Sequence, residues 1–282
     1  MKVSADAFYA WAAGKTYRLS VKKQKLAEQV KEVFWRHRRR YGARRISAEL
    51  QATGCAVGRR LAGSLLKAQN LMAIRPRRFV PQMTDSKHGL GFSANLIKNG
   101  SNAPTASGEV IVGDITYLPL RGGKFCYLTT FQDKYTRRII GWQVSTRMTA
   151  QLVIDAFNRG RKRGLINKGA IIHTDRGSQY ASIEYRRLLY ISGFRQSMSA
   201  AGNCYDNAQA ESFFSRFKAE LIEGGIFESI EQARTEIFSY IEGYYNRIRR
   251  HSSLGYLSPL EFEKQLQIKN QRRKESFPSC FS

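Results

Sequence analysis

Residues 109–120, EVIVGDITYLPL, are a β-branched run that ends at Pro119 and carries one carboxylate, Asp114, in its middle. Val, Ile and Thr fit a pleated strand, and proline closes one because it cannot donate to the ladder. Downstream, GGKFCYLTTFQD (122–133) and RRIIGWQVS (137–145) follow after short turns, which predicts a three-stranded antiparallel meander. Beyond it the pattern predicts a helix over 149–163, a buried strand in AIIHTD (170–175), a helix over 183–192, a short strand in FRQSMS (194–199) and a helix in AQAESFFSRFKAE (208–220).

The order β-β-β-α-β-α-β-α is that of the α/β ribonuclease H-like fold, a mixed five-stranded sheet with helices on both faces. A further helix over about 230–246 and the segment YYNRIRRHSSLGYLSPLEFE (244–263) close this domain. Upstream, VKKQKLAEQVKEVFWRHRRRY (21–41) has Leu26, Val30, Val33, Phe34, His37 and Tyr41 at helical spacing and bases opposite. A Gly42 break, a short helix over 46–51, a Gly54 stop and a third helix in VGRRLAGSLLKAQNL (57–71) follow. That is helix-turn-helix order, whose last helix enters the major groove, although any small three-helix bundle shares the rhythm and Gly63 costs about 1 kcal/mol of propensity there. The expected organisation is an extension (1–20), an all-α helix-turn-helix-like DNA-binding domain (21–74), a linker (75–107), the ribonuclease H-like core with its C-terminal helical segment (108–265) and a basic tail (266–282).

Charge names the partner class. The 282 residues hold 47 Lys and Arg against 22 Asp and Glu, a net +25, and residues 1–80 alone hold 19 bases and 4 acids. Polyanion binding is the reading this favours, with Arg44, Arg45, Arg59, Arg60, Arg247 and Arg250 as candidate DNA contacts; a solvated basic surface or a membrane-facing patch is the alternative. Arg249 and His251 of NRIRRHSS are grouped with them. No run approaches the ~20 apolar residues that cross a bilayer, and the first thirty residues carry no secretory h-region, so a soluble, cytoplasmic, nucleoid-associated protein is expected. Cys55, Cys126, Cys204 and Cys280 and His37, His88, His173 and His251 are scattered, without the spacing of a zinc knuckle or a disulfide frame.

Three carboxylates fall in three elements: Asp114 in the first strand, Asp175 just after the fourth, and Glu211 on the helix after the fifth. In this fold the first and fourth strands are neighbours, so both aspartates meet at one edge of the sheet with the Glu211 helix crossing above. Hard oxygen ligands of that kind suit two Mg²⁺ or Mn²⁺ ions, which roughly 4 Å apart serve both oxygens of an in-line phosphoryl displacement. Each residue also has a plain reading. Asp114 could cap a turn, Asp175 could make an Asx turn before Gly177, and Glu211 could pair with Ser215 or Arg216. Lys218, two turns past Glu211, lies on the same helical face and can reach a phosphate, with a solvated lysine as the alternative. His173 and Gln179 are candidate orienters of Asp175 or packed strand residues; Asp206 and Asn207 are expected to cap the Glu211 helix; Asp133 is read as a turn residue rather than a fourth ligand, and Trp142 as core rather than a base-stacking platform.

The stretches YGARRI (41–46), GDITYLPL (113–120), IIGWQVSTRMT (139–149), HTDRGSQY (173–180), SMSAAGNCYDNAQAESFF (197–214), FKAE (217–220) and YYNRIRRHSSLGYLSP (244–259) resemble the second reading-frame product of the insertion-sequence-three transposases, and more distantly retroviral integrases. The likeness runs from about residue 20 to 265. It implies the ribonuclease H-like fold, a catalytic triad of Asp114, Asp175 and Glu211, a basic residue at 218, 3′-hydroxyl strand transfer through a circular intermediate, and a frameshifted fusion with an upstream helix-turn-helix product as the active form. Joining two ends calls for at least two protomers or two DNA-binding surfaces, and a homo-oligomer on double-stranded DNA is expected. Ala200-Ala201 stand where relatives commonly carry a base, and Ile111-Val112 where an aromatic is common; the N-terminal His and Cys of retroviral integrases are absent. The rivals are a DNA-binding regulator, which leaves the carboxylates unexplained, a ribonuclease acting on RNA–DNA hybrids, and a tyrosine recombinase, whose Arg and His-x-x-Arg set is missing.

Overall fold

The computed structural model describes residues 4–14, 20–76, 90–98, 101–199, 208–223 and 225–276. The chain divides into two compact units, Met1–Ile74 and Arg75–Ser282. Among the described residues no helix is long and apolar enough to cross a membrane.

In the first unit α1 (Ala5–Ala12) starts on Ser4, and α2 (Val21–Arg36) starts on Ser20, whose hydroxyl accepts from Lys23 N. Val30, Val33 and Phe34 of α2 are buried with Ile46 and Leu50 of α3 (Ala43–Ala52) and Ala62, Leu65 and Leu66 of α4 (Arg59–Ala68). The helix expected to run to Tyr41 stops at Arg36. Arg38 and Arg39 take positive φ (49° and 63°), Arg39 N donates to Phe34 O, and the chain doubles back so that Tyr41 stacks on His37 at 3.7 Å. The turn between α3 and α4 is closed by Ser47 Oγ and Gln51 Nε2, both donating to Val57 O, and Gln69 Nε2 ties the end of α4 to Ala27 O of α2.

The second unit is built on a five-stranded sheet among the described residues: β1 (Val110–Pro119), β2 (Phe125–Asp133), β3 (Ile139–Ser145), β4 (Ile171–Thr174) and β5 (Arg195–Met198), in the order β3-β2-β1-β4-β5. The first three are antiparallel; β1, β4 and β5 are parallel, so the expected meander and the β1–β4 neighbourhood both hold. Side chains alternate across the sheet. Ile111, Phe131 and Ile140 pack under α5 (Ala150–Lys162), α6 (Ser178–Ala181) and α7 (Ile183–Ile191) through Val153, Phe157, Tyr180, Tyr185 and Leu189. Leu118, Leu128, Trp142 and Val144 pack on the other face against Phe213, Phe214 and Phe217 of α8 (Ala208–Phe217) and Ile237 of α9 (Ile230–Phe238). Trp142 is therefore core, its Nε1 donating to Glu242.

Two elements depart from α geometry where an unbroken helix was expected. Helix α8 continues as a π-helical turn over Lys218–Ile222, and α9 as another over Ser239–Tyr245, before α10 (Pro259–Ser276). Arg249, expected at a DNA phosphate, is buried in an ion pair with Glu220: Nη2 and Nε donate to the carboxylate at 2.6 and 2.8 Å, and Tyr240 Oη donates to the same group at 2.9 Å. Burial alone works against the Arg249 charge, and the Glu220 carboxylate more than reverses that, so the guanidinium stays protonated.

The second half of the expected linker belongs to the body of this unit. Ser93 Oγ donates to Gln196 Oε1, Leu96 N to Ser197 Oγ, and Ile97 is buried with Val110 and Ile171. Asp133 has the turn role: its carboxylate accepts from Gly108 N, Tyr135 N and Thr136 N, closing the β2–β3 connection and the approach to β1.

Gly141 lets α5 touch the sheet, since a Cβ there would lie 2.2 Å from Ala156 O. Gly141→Ala is expected to lower unfolding free energy by about 1–3 kcal/mol in urea denaturation, as overpacking does. Arg249→Met is expected to cost about 3–5 kcal/mol, because it leaves Glu220 charged in the interior, and the double variant with Glu220→Leu to recover most of that.

Candidate active site

Strand register brings two of the three carboxylates together. The parallel pairing sets Val110 beside Ile171 and Val112 beside His173, so Asp114, two residues on, and Asp175, just past the end of β4, emerge at the same edge of the sheet, near enough for the Asp175 charge to act on Asp114. Gly113 keeps the approach tight: a Cβ there would lie 2.6 Å from Phe131 Cε1 and 3.2 Å from Thr174 Cγ2. Asp114 Oδ1 accepts from Ile115 N at 2.8 Å, and Asp175 Oδ1 from Gly177 N at 3.0 Å. The Asx turn offered as the plain reading of Asp175 is present, and it orients a carboxylate that still faces Asp114.

The electrostatics record the proximity. Burial raises the Asp114 carboxyl well above the carboxylate range, the Asp175 charge raises it further, and Glu211 adds a smaller push that Lys218 opposes. Tyr180 lies beneath: its phenol is raised well above the usual range by burial and then by the charges of Asp175 and Asp114, and its Oη is 3.4 Å from Thr129 Oγ1, which donates to Asp114 O.

Glu211 arrives from the other layer. Ala210, Phe213, Phe214 and Phe217 bury one side of α8 and leave Glu211 on the open side, where partial burial still raises its carboxyl. Among the described residues no three His, Cys, Asp or Glu close on a point that would hold one ion, so the structure pairs Asp114 with Asp175 and sets Glu211 within electrostatic reach but apart. The expected caps Asp206 and Asn207, and Ala200-Ala201, lie outside the described residues.

Lys218 is half-buried, not solvated. Its Nζ lies 4.4 Å from the Tyr117 ring centroid; burial lowers the ammonium and the Asp114 charge draws it back up. Sequence reasoning passed over Tyr117 and Tyr180, although both stand inside the quoted stretches GDITYLPL and HTDRGSQY. His173 is a packed strand residue, bonded through Nδ1 to Ser197 Oγ on β5 at 2.8 Å, while Gln179 Nε2 reaches Met148 O at 3.4 Å.

Within the first unit Arg44, Arg59 and Arg60 are exposed, and the Arg45 guanidinium lies 5.5 Å over the Tyr41 ring. Helices α3 and α4 begin on Gly42 and Gly58 with no side-chain cap hydrogen bond, and each carries an Arg-Arg pair in its first turn. In the second unit Arg247 is exposed, with Nε on Glu242 O, and half-buried Arg250 donates to Tyr256 O.

Residues 104–204 and 192–259 match integrase core domain families, and residues 22–79 match an HTH-like domain family. Transposase InsF for insertion sequence IS3A of Escherichia coli (strain K12) is 41% identical over 266 residues, 93% of this chain and 91% of the relative. The transposase for insertion sequence element IS904 of Lactococcus lactis subsp. lactis (strain IL1403) is 41% identical over 244 residues, 86% of this chain and 95% of the relative. Among solved structures, the HTLV-2 integrase catalytic core domain in complex with magnesium superposes at a TM-score of 0.44 with 12% identity, over 56% of this chain and 97% of that one; the superposition is loose, and the assignment rests on the sequence matches. With an HTH-like domain ahead of an integrase core, the chain belongs to the IS3 family of transposases.

Proposed function

We propose that this transposase uses Asp114, Asp175 and Glu211 as its catalytic carboxylates, with two divalent cations, Mg²⁺ or Mn²⁺, as cofactors. The observation that carries the reading is the strand register that faces Asp114 with Asp175, because two carboxylates forced together in a half-buried place are stabilised by a cation of high charge density. The donor set fits a hard ion: it is all oxygen. Asp114, Asp175 and Glu211 would hold the ions between them, Glu211 reaching in from the open side of α8. When bound, such ions activate the attacking oxygen and steady the leaving oxygen of an in-line displacement.

Two displacements then follow on the DNA. Water oxygen attacks a phosphodiester at an element end and the 3′ oxygen leaves as a hydroxyl; that hydroxyl then attacks a second phosphodiester, whose own 3′ oxygen leaves. The second step exchanges one phosphodiester for another and needs no external energy source. Lys218 holds a phosphate of the reacting strand from its seat on Tyr117. Arg44, Arg45, Arg59 and Arg60 grip double-stranded DNA through its backbone, with Arg247 and Arg250 as further contacts. To bring two ends together we further propose a homo-oligomer on DNA, and from the family likeness an upstream helix-turn-helix reading-frame product as fusion or partner and a place on the bacterial nucleoid.

Asp175→Asn is expected to abolish Mg²⁺-dependent strand transfer of labelled end DNA and to leave the gel shift within about twofold; wild-type joining by that variant would refute the assignment. Because a proton and a cation compete for Asp114, whose carboxyl is raised, the Mn²⁺ concentration for half-maximal rate is expected to fall as pH rises above the ordinary carboxylate range, read from metal titrations at a series of pH values. Arg59→Ala with Arg60→Ala is expected to weaken DNA binding and to reduce the slope of log affinity against log salt by about one unit for each phosphate the variant no longer neutralises, read from gel shifts over roughly 50 to 200 mM salt.

A further inference from the structure

Among the described residues, the side-chain hydrogen bonds from α8 to the sheet both come from one residue. Gln209 Nε2 donates to Gln132 Oε1 at 3.0 Å and to Asp133 O at 3.3 Å, at the end of β2. Both acceptors are immobilised. Gln132 is buried, and its own Nε2 donates to Tyr245 Oη at 2.8 Å and Arg137 O at 2.9 Å, so both N–H groups and the carbonyl of its amide are in use and its orientation is determined. Asp133 is held by the three backbone N–H groups that close its turn.

The chain of contacts returns to the same helix. Tyr245, which accepts from Gln132, sets its ring edge-on to Phe213 of α8 at 5.0 Å and lies 5.7 Å under the Arg249 guanidinium. Arg249 grips Glu220 in the π-helical turn that continues α8. The catalytic helix is thus tied by polar contacts at its first turn and again past its last, and Glu211 stands between the ties. At about 100° per residue, Gln209 and Glu211 lie on nearly opposite sides of α8, so a bond pulling Gln209 onto β2 sets how far Glu211 is turned outward. The three phenylalanines anchor the helix on the sheet, and the Gln209 hydrogen bonds add a directional constraint to that packing.

We infer that Gln209 is a positioning residue for the transposition reaction: through Gln132 and Asp133 it fixes the rotation of α8 and with it the setting of Glu211 against Asp114 and Asp175. The inference rests on the reading of Glu211 as the third carboxylate. Groups that orient metal-binding side chains typically contribute about 10–100-fold to affinity or activity.

The test uses the full chain bound to end DNA. Gln209→Met keeps length and helix propensity and removes both donors. Mn²⁺ binding to the protein–DNA complex, measured by electron paramagnetic resonance of the free ion, is expected to weaken about tenfold, with a matching rise in the Mn²⁺ needed for half-maximal strand transfer. DNA affinity in a gel shift should stay within about twofold and the melting temperature within about 3 °C, the range of a small stability change. Gln132→Met should reproduce the metal phenotype, and the double variant should be no worse than the more impaired single one. Unchanged Mn²⁺ binding in Gln209→Met overturns the inference, and so does a rate that falls only in step with melting temperature. Asp175→Asn separates the two levels: if that variant still joins DNA, the triad assignment itself has failed, whereas an inactive Asp175→Asn beside a Gln209→Met with wild-type metal binding defeats only the role given to Gln209.

Discussion

The parallel pairing of β1 with β4 is the constraint on which the rest of the catalytic unit depends. It is made by few residues, Val110 to Val112 against Ile171 to His173, yet it brings Asp114, two residues further along β1, and Asp175, just past the end of β4, to one edge of the sheet. The pairing carries an electrostatic cost: the Asp114 carboxyl is driven up by burial and by its neighbour's charge, and among the described residues Ile115 N is the hydrogen-bond donor that offsets it. Stability is supplied elsewhere, by two apolar layers that clamp the sheet from both faces. The unit resembles a rigid plate with one destabilised spot, the arrangement expected of a functional site.

The helix carrying Glu211 is positioned by different physics. Its aromatic side gives adhesion to the sheet, while directional contacts from Gln209 at one end and Glu220 at the other give orientation. The π-helical turn belongs to this second task. The widened turn begins at Lys218, which keeps its ammonium over Tyr117, and includes Glu220, which faces inward to Arg249. One short segment thereby presents a cation toward Asp114 and an anion toward the core.

How much of this could be read from residues alone follows from the range of the forces involved. Strand order, the two aspartates and the apolar anchoring of α8 were legible because period-2 and period-3.6 patterns are local. The end of α2 was not: His37 and Tyr41 keep helical spacing, but two arginines in left-handed conformations interrupt the helix between them, and no residue-level preference of arginine announces that. Arg249 looked like its neighbours in NRIRRHSS because burial is decided by Glu220, a residue 29 positions away and on another element. Residues 90–98 read as linker for want of periodicity, although they are tied to β5 by isolated hydrogen bonds that need no periodicity at all. Tyr117 and Tyr180 were hidden for a simpler reason: a tyrosine in a strand or a short helix looks the same whether it lines a core or a site.

The sealed Glu220–Arg249 pair has a practical corollary. Exposed arginines such as Arg59 and Arg60 act across water, where ions screen charge over about 8 Å at physiological strength and about 3 Å at 1 M. The interior pair, with 3% and 4% of its side chains exposed, has no electrolyte between its partners. Salt therefore screens the exposed arginines and leaves the Glu220–Arg249 contact unscreened, so a concentrated salt wash acts on the basic surface of this protein and not on the interior tie that holds the end of α8.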